Sequence, residues 1–382
     1  MKKLSKIIFL ISTLVAIISV NVFSNQKVYA SSNFKSKSCY LYDYNSNTEI
    51  FAYNENERLP IASMTKIMLL DIVYNEILTK NVSFDEEITI SETASSMGGS
   101  QVFLESGGVY KLSTLLKSVI VASANDASVA LAERFFGSEE ECVKVMNNKA
   151  KSLGLKKTLF ANCTGLPKPM QYSSAKDIAL IFADLICYEN YFDYSKIWLD
   201  KVEHSKNTTE INNTNKLIKF YNGCDGGKTG FTNEAGFCLT ATAKRGNMRL
   251  ISSIIGAPDS KTRFNETSNL LNNGFNNYES MAVLDKNIPI ESKIAVSGGK
   301  VKEIECVPEK DVFVLSKKGE KPQIEIEYSL DKVLAPINKG QKVGECIVFK
   351  NGVESQRVNV LSNASVSKMN YFDYFKEISS KW

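Results

Sequence analysis

A serine and a lysine three residues apart, Ser63 and Lys66, lie in an otherwise apolar stretch, LPIASMTKIMLL, at residues 59–70. A serine hydroxyl becomes a useful nucleophile only when a nearby base removes its proton. Lysine can be that base if apolar surroundings or a second cation lower its pKa from the usual value of about 10.4. Residues three apart on a helix share a face, so a helix that starts at Ser63 is expected to present both groups together.

The S-x-x-K spacing alone is weak support for a site, because it occurs seven times in the chain. The other six pairs begin at Ser24, Ser32, Ser173, Ser297, Ser329 and Ser365. Chance explains most such matches, and a solvated serine and lysine is the ordinary interpretation of each. Other residues must therefore distinguish the pair at Ser63.

The familiar partner of a catalytic serine is a histidine, and the chain has one, His204, in the polar stretch VEHSKNTTE. A lone histidine among lysine and asparagine is typical of a solvated surface residue, which disfavours a Ser-His-Asp triad. A single histidine and the absence of an H-E-x-x-H motif also predict no metal site.

One companion motif is Ser123-Ala124-Asn125, which follows the apolar helical stretch LSTLLKSVIVAS. Its serine could relay a proton, and its asparagine could hold a substrate amide. S-x-N is also weak alone, since it recurs at Ser31 and Ser205.

A second companion, Lys228-Thr229-Gly230, occurs once, just before the strand expected near Phe237. Glycine there permits close approach of the backbone to a ligand. The lysine would be the second cation, able to lower the pKa of Lys66 and to attract a carboxylate.

The ordered set S-x-x-K, S-x-N and K-T-G resembles that of the penicillin-binding proteins and serine β-lactamases. From about residue 34 to 362 the sequence is similar to those of the D-alanyl-D-alanine carboxypeptidases, the low-molecular-mass penicillin-binding proteins. The similar segments are LPIASMTKIM, SMGGSQVFLESGGVYKLSTLLKSVIVASANDASVALAE, GLPKPMQYSSAKDIAL and DGGKTGFTNEAGFCL. The resemblance implies an enzyme without a cofactor that removes the terminal D-alanine of peptidoglycan stem peptides and is acylated by β-lactams.

The resemblance also implies a role for each motif. Ser63 would attack the D-Ala-D-Ala carbonyl, and Lys66 would take its proton. Ser123 and Lys228 would relay protons to the leaving amine and assist the deacylating water. Asn125 would orient the substrate amide.

The remaining implied roles concern the oxyanion and the terminal carboxylate. The backbone N–H groups of Ser63 and Phe231 would form the oxyanion hole. Many relatives have histidine at the position of Phe231, and we expect this departure to affect specificity or β-lactam deacylation. Thr229 and Arg263 would bind the substrate carboxylate, while Thr164, which replaces another common histidine, is assigned no role.

Two alternatives remain, a β-lactamase and a non-catalytic wall-binding protein. The commonest β-lactamases use a glutamate between S-x-N and K-T-G, but residues Ala161–Lys176 contain no acid. A non-catalytic protein is disfavoured because Ser63, Lys66 and Lys228 are all present.

The wider pattern predicts an α+β fold. Residues 39–54 and 237–256 indicate strand pairs, and helical patterns between them suggest an antiparallel sheet covered by helices. We assign residues 31–282 to a β-lactamase/transpeptidase-like domain. Residues 283–364, rich in short alternating runs, are expected to form a small all-β domain.

Residues 365–382 return to helical periodicity and predict an amphipathic tail, whose apolar side carries Tyr371, Phe372, Tyr374, Phe375, Ile378 and Trp382. One interpretation is an interfacial membrane anchor, and the other is a terminal helix docked on the protein. The terminal position and the aromatic residues favour the membrane.

The first thirty residues resemble a secretory signal peptide, with the basic stretch MKKLSK, an apolar run and a cleavage site after Ala30. An uncleaved membrane anchor is the alternative, but the apolar run is short for a span. We therefore expect an exported protein, held peripherally on the outer face of the cytoplasmic membrane.

Charge and cysteine content limit the function further. The chain has 382 residues and a formal net charge of +4, and the leader carries four lysines and no acid, so the mature chain is near neutral. This balance gives no electrostatic case for nucleic acid. The eight cysteines are dispersed with no C-x-x-C, and we expect mostly free buried thiols, with one or two disulfides left open.

Overall fold

The computed structural model describes residues 34–379. The predicted signal peptide, residues 1–30, and the terminal Trp382 of the predicted tail lie outside the described residues. The strands of the N-terminal part are β1 (Ser38–Asp43), β2 (Thr48–Tyr53), β3 (Glu87–Thr89), β4 (Val109–Lys111), β5 (Leu199–Glu203), β6 (Thr208–Asn212), β7 (Cys224–Thr232), β8 (Gly236–Arg245) and β9 (Met248–Ala257).

Five of these strands form an antiparallel sheet in the order β2-β1-β9-β8-β7. The two predicted strand pairs are its β1–β2 and β8–β9 hairpins, and the second turns at Gly246, whose φ of +57° suits glycine. Pairing of β1 with β9 joins the two hairpins, which are some two hundred residues apart in the sequence. Distant segments thereby come to one sheet, and the segment between them supplies the covering helices.

The helices of this part are α1 (Lys66–Lys80), α2 (Glu92–Ser95), α3 (Leu112–Val121), α4 (Asn125–Phe136), α5 (Glu139–Ser152), α6 (Ala175–Leu185), α7 (Tyr191–Ser195), α8 (Leu217–Phe220) and α9 (Ser260–Asn277). The sheet is covered on both faces. Ile251 and Ile255 belong to the core that contains α1, whereas Leu250 faces Gly274 of α9. The predicted α+β layering is confirmed.

Helix α1 lies in the centre of the helical layer, where it contacts α4, α5 and α6. All nine residues from Lys66 to Tyr74 are buried, so the helix has no solvent face over its first two turns. Apart from Lys66 and Asp71 these residues are apolar, and a helix buried on every side must be enclosed by other elements. The single lysine at its start therefore enters the core together with its apolar neighbours.

The C-terminal part consists of short strands around a separate apolar core. They are β10 (Tyr278–Leu284), β11 (Ile294–Ser297), β12 (Glu303–Ile304), β13 (Cys306–Pro308), β14 (Val312–Lys317), β15 (Ile324–Leu330), β16 (Val333–Leu334), β17 (Lys342–Lys350) and β18 (Val353–Ser362). The all-β character expected for residues 283–364 is confirmed. Strand β10 follows α9 directly and pairs with β14, so the pairing begins before residue 283.

The tail forms helix α10 (Tyr371–Ser379). Tyr371 and Phe372 are each 79% exposed. On the other side of the helix, Asp373 and Glu377 form ion pairs with Lys300 and Lys302 of the β-rich part. Among residues 34–379, no helix is both long and apolar enough to cross a bilayer.

All eight cysteines are free thiols, and all are buried except Cys187. The expectation of mostly free, buried thiols is therefore confirmed. Five of them act as small apolar side chains in the two cores, namely Cys142, Cys163, Cys238, Cys306 and Cys346.

Candidate active site

Ser63 lies on a single turn of 3-10 helix, Ala62–Thr65, and the α-helix begins only at Lys66. The prediction of an α-helix starting at Ser63 is wrong by one turn. Ala62, the first residue of this turn, has a φ of +48° in the left-handed region, so the chain turns sharply just before the nucleophile. The serine and lysine still share a face, because residues three apart are eclipsed in a 3-10 turn.

Lys66 is fully buried, and its ammonium group has three partners. Nζ lies 3.1 Å from Ser63 Oγ, 2.7 Å from Asn125 Oδ1 and 2.5 Å from the backbone oxygen of Thr164. An ammonium has three protons to donate, so this set occupies all of them. The lysine is thus fixed against the hydroxyl that it would deprotonate.

Burial lowers the pKa of Lys66 from 10.5 to about 7, and the nearby Cys163 and Asp126 act in the opposite direction. Removing an ammonium from water disfavours its charged form. The sequence correctly predicts a lowered pKa from apolar surroundings. The second expected cause, the charge of Lys228, is not among the causes of the Lys66 shift. The effect runs the other way, because the charge of Lys66 lowers the pKa of Lys228.

Ser123 and Asn125 lie at the junction between α3 and α4, and Asn125 is the first residue of α4. Ser123 has a φ of +64°, which bends the chain between the helices. The Asn125 side chain donates from Nδ2 to the Gly98 oxygen at 2.7 Å while its Oδ1 accepts from Lys66. The asparagine therefore links Lys66 to the 97–101 loop.

Lys228-Thr229-Gly230 lies inside β7, and the strand predicted near Phe237 follows it as β8. The sequence did not predict that the motif itself lies on a strand. Lys228 is buried and donates from Nζ to Ser123 Oγ at 2.7 Å. Burial, and then the positive charges of Lys66 and Arg263, holds the pKa of Lys228 well below its usual value. The site thus contains two hydroxyl–amine pairs, Ser63 with Lys66 and Ser123 with Lys228.

Strand β7 lies directly against the nucleophile turn, and glycine makes this approach possible. A Cβ at Gly230 would stand 2.5 Å from the Ile61 oxygen. From the other side, a Cβ at Gly165 would stand 2.1 Å from the Ala62 oxygen and 2.8 Å from the Ser63 nitrogen. The turn that carries Ser63 is thus held between two glycines.

Replacing Gly165 by alanine is expected to reduce kcat/KM for the natural reaction by about 100-fold, because a shift of about 1 Å at reacting groups can cost that much. The new Cβ would overlap the Ala62 backbone, and the φ of +83° disfavours alanine as well. Steady-state hydrolysis of a D-Ala-D-Ala peptide measures the effect.

Gly154→Ala is the matched control, since Gly154 has a φ of +71° but nothing within 4 Å of a new Cβ. The control should lose about 1 kcal/mol of stability from backbone strain and keep its kcat/KM. Equal kcat/KM values for the two variants would contradict the steric role of Gly165.

Thr229, Phe231 and Arg263 differ in their access to the site. Thr229 is buried on β7, and the Phe231 ring, 51% exposed, lies 4.3 Å from the ring of Phe237. Arg263 is buried on α9, where it donates from one terminal nitrogen to the backbone oxygens of Gly230 and Cys238, both at 3.3 Å. Its positive charge therefore lies behind the strand that carries the motif.

His204 lies on the β5–β6 hairpin, apart from the two hydroxyl–amine pairs. Its Nδ1 lies 2.8 Å from Tyr110 Oη, and its Nε2 lies 2.9 Å from Thr209 Oγ1. The ring is half-buried with both nitrogens bonded, so the expected solvated surface histidine is wrong in this detail. Its partners leave it no contact with Ser63.

The sequence did not indicate two residues that help to build the site, Thr164 and Asp126. Thr164, which was assigned no role, provides the carbonyl that accepts from Lys66. Asp126 accepts from the backbone N–H groups of Val102, Leu104 and Ala127, which fixes the loop beside Asn125. The contact of Thr164 uses a backbone oxygen, which every residue type has, so the sequence could not indicate it. Asp126, an acid directly after S-x-N, could have been noticed.

The arrangement can perform acyl transfer. A buried amine whose pKa is near neutrality can accept the proton of Ser63 as the hydroxyl attacks a carbonyl. The Ser123–Lys228 pair offers a second proton path beside it. Among residues 34–379, no group of three or more His, Cys, Asp or Glu side chains could hold a metal ion.

Comparison with known proteins gives two family matches. Residues 24–259 match the family model described as D-alanyl-D-alanine carboxypeptidase, and residues 278–368 match that of the penicillin-binding protein 5 C-terminal domain.

Individual relatives extend over nearly the whole chain. D-alanyl-D-alanine carboxypeptidase DacF of Bacillus subtilis is 39% identical over 91% of this chain and 90% of its own length. DacC of Escherichia coli is 32% identical, covering 89% and 87%. The crystal structure of penicillin-binding protein 5 from Haemophilus influenzae superposes with a TM-score of 0.71 at 31% identity, covering 89% of this chain and all of the other.

Proposed function

The chain belongs to the D-alanyl-D-alanine carboxypeptidase family, and we propose that it cleaves stem peptides through an acyl-enzyme on Ser63. It is a serine peptidase of the penicillin-binding protein 5 type, which acts on D-Ala-D-Ala peptides of peptidoglycan and binds β-lactams. The observation that carries the assignment of residues is the fully buried Lys66, whose Nζ lies 3.1 Å from Ser63 Oγ.

The first half-reaction forms the acyl-enzyme. Ser63 Oγ attacks the carbonyl between the two D-alanines as its proton moves to Lys66 Nζ. Backbone N–H groups of Ser63 and Phe231 hold the developing oxyanion. Ser123, hydrogen-bonded to Lys228, passes a proton to the departing amine, and free D-alanine leaves.

The terminal carboxylate is recognised at β7. Thr229 and the positive charge of Lys228 lie on the strand beside Ser123 and provide the direct contacts. Arg263 adds positive charge from behind the strand, because its two terminal nitrogens donate to backbone and serine oxygens. Asn125 holds Lys66 and, when substrate enters, also orients the amide of the substrate.

A β-lactamase is the second candidate within the superfamily. Hydrolysis of the acyl-enzyme formed with penicillin needs a base beside the ester, and residues 161–176 offer no acid. Glu139 reaches this segment, but its carboxylate accepts from the Cys163 backbone and thiol. Slow release of bound penicillin is therefore expected.

An assay of D-alanine release beside penicillin turnover separates the candidates. A carboxypeptidase releases D-alanine from an acyl-D-Ala-D-Ala peptide and stays labelled by penicillin. Rapid penicillin turnover without D-alanine release identifies a β-lactamase, and loss of both activities identifies a non-catalytic wall-binding protein.

Export and membrane attachment complete the proposal. The leader at residues 1–30 directs secretion, and α10 attaches the mature enzyme peripherally to the outer face of the cytoplasmic membrane. Support comes from the exposed side chains of Phe372, Phe375 and Ile378 on one side of α10. Aromatic and aliphatic side chains of this kind enter the headgroup boundary of a bilayer.

Removal of residues 371–382 is expected to abolish binding to phosphatidylglycerol-containing vesicles in a flotation assay and to leave peptide hydrolysis unchanged. The cut follows Asn370, because Val366 is buried and bridges Ile337 in the β-rich core. Both forms begin at residue 31, so the apolar leader contributes nothing.

A full-length Phe372→Asp/Phe375→Asp variant is the matched comparison, since it keeps the ion pairs of α10 and loses two apolar contacts. It should remain unbound like the truncated form. Flotation of either altered form with the vesicles would assign membrane binding to another surface.

A further inference from the structure

Three acids, Glu139, Glu140 and Glu141, form the first turn of α5. Acids at this end of a helix interact favourably with the helix dipole, and that role is common to all three. Glu140 is exposed, and Glu141 forms an ion pair within α5. Glu139 is half-buried, and its carboxylate contacts the segment of residues 161–165 beside the nucleophile. A contact at that place calls for an explanation beyond helix stability.

The contacts of Glu139 are with Cys163, the residue directly before Thr164. Its Oε1 accepts from the backbone N–H of Cys163 at 3.0 Å and from the thiol at 3.2 Å. Burial, and then the negative charge of Glu139, holds the pKa of this thiol well above its usual value, so the thiol keeps the proton that it donates. A carboxylate accepts such bonds more strongly than a neutral group does. Helix α5 thus fixes the backbone one residue before Thr164.

Thr164 transmits this restraint to the lysine of the site. The residue is buried, and its backbone oxygen accepts from Lys66 Nζ at 2.5 Å. Immediately after it, Gly165 lies against the turn that carries Ser63. The Thr164 carbonyl is therefore held from one side by the bonds of Cys163 and from the other by the packing of Gly165.

The carbonyl affects the pKa of Lys66 as well as its position. An oxygen that accepts from an ammonium favours the charged form, so loss of the contact lowers the pKa. The titratable groups near the lysine are Asp126 on α4, Lys228 on β7 and Cys163. Among the described residues, Glu139 is not a direct cause of the Lys66 shift. An effect of Glu139 on the lysine must therefore pass through the backbone.

We propose that Glu139 is a positioning residue for the proposed reaction, because it holds the Thr164 carbonyl against Lys66. The general base is thereby kept in line with Ser63. Glu139 acts through Cys163 and touches neither the substrate nor the reacting atoms. Its carboxylate oxygen is needed as an acceptor, whereas its negative charge is not. This inference rests on the proposed function and adds a residue to its machinery.

Two variants test the role, since Glu139→Ala removes the acceptor and Glu139→Gln keeps one. Acylation of the full mature enzyme by excess chromogenic β-lactam is followed by stopped flow across about pH 5–9. Glu139→Ala should lower the maximal rate constant at least about tenfold, because a shift of about 1 Å at reacting groups can cost about 100-fold. Its inflection should lie about one pH unit below that of the unmodified enzyme, the effect of losing one hydrogen bond to a charged group.

The conservative variant and a matched control separate positioning from stability. Glu139→Gln should keep the rate constant within about twofold and leave the inflection in place, since the glutamine side-chain oxygen can accept from the Cys163 N–H. Glu140→Ala removes an exposed acid from the same helix turn and should change neither value. Partial unfolding lowers the amount of enzyme that reacts, but the rate constant observed with excess β-lactam does not depend on that amount.

The outcomes distinguish the positioning role from the proposed function. An unchanged rate constant or an unchanged inflection in Glu139→Ala would overturn the role. Equal losses in Glu139→Gln would assign the effect to charge, and equal losses in Glu140→Ala would assign it to the helix dipole, so either result would overturn it too. D-alanine release by the unmodified enzyme stands in all these cases. Absence of both D-alanine release and acylation in the unmodified enzyme would overturn the proposed function, and this inference with it.

Discussion

Replacing Ser63 by alanine is expected to stop both D-alanine release and covalent labelling by penicillin. Among residues 34–379, the Ser63 side chain provides the only oxygen in contact with Lys66 Nζ that can form an ester, since the other partners of Nζ are an amide and a backbone carbonyl. Loss of the nucleophile should lower kcat by at least about 10⁴-fold, as in other serine hydrolases. Peptide hydrolysis and mass spectrometry after penicillin treatment measure the two effects.

Ser297→Ala is the matched control. Ser297 begins another S-x-x-K match, with Lys300, but it is exposed on β11 of the β-rich part. The control should be labelled and active like the unmodified enzyme. Penicillin labelling that survives Ser63→Ala would show that another residue is the nucleophile.

Replacing Lys66 by arginine is expected to slow acylation by about 10³-fold, a typical contribution of a positioned general base. Arginine retains a positive charge and keeps hydrogen-bond donors, but it cannot lose a proton in a protein. The variant therefore separates the basicity of Lys66 from its charge. Stopped-flow acylation by a chromogenic β-lactam measures the rate, and Lys300→Arg is the control.

The pH dependence of acylation follows from the same lysine. Burial lowers the pKa of Lys66 to about 7, so the free amine predominates above this pH and the ammonium below it. Only the free amine can accept the proton of Ser63. The acylation rate should therefore rise with pH, reach half its maximum near pH 7 and fall about tenfold per unit below about pH 6.

An acylation rate that is constant through neutrality would contradict the role of Lys66 as the base. The Lys66→Arg variant provides the comparison, because its residual rate should lack the inflection near pH 7. If the variant kept the inflection, another group would be responsible for it.

The sequence indicates the hairpins because their signals are local. Turn residues such as those at Gly246 and Asn351-Gly352 interrupt alternating apolar runs, and both interruptions are turns in the structure. Helices α3, α4 and α6 follow from their apolar periodicity in the same way. Pairing of β1 with β9 could not be deduced, since it joins segments without any local signal.

Strand β7 shows why the local structure of part of the site could not be predicted from the sequence. Gly226, Gly227 and Gly230 weaken its strand propensity, so no strand was predicted at the K-T-G segment itself. Pairing with β8 and the close approach to the nucleophile turn require those glycines. Residue types thus predicted the chemistry, whereas tertiary packing determined the local structure.

The strained backbone conformation at Ser123 and just before Ser63 affects how the protein would respond to selection for thermostability. Ala62, just before Ser63, and Ser123 both adopt left-handed conformations that non-glycine residues avoid, at a cost of about 1–2 kcal/mol each. Ala62→Gly would relieve the strain and loosen the turn that aligns the Ser63 hydroxyl, whereas Ser123→Gly would relieve the strain and remove the Ser123 hydroxyl. Laboratory evolution for thermostability alone would therefore favour such changes, and the resulting enzyme would melt at a higher temperature while turning over fewer peptides.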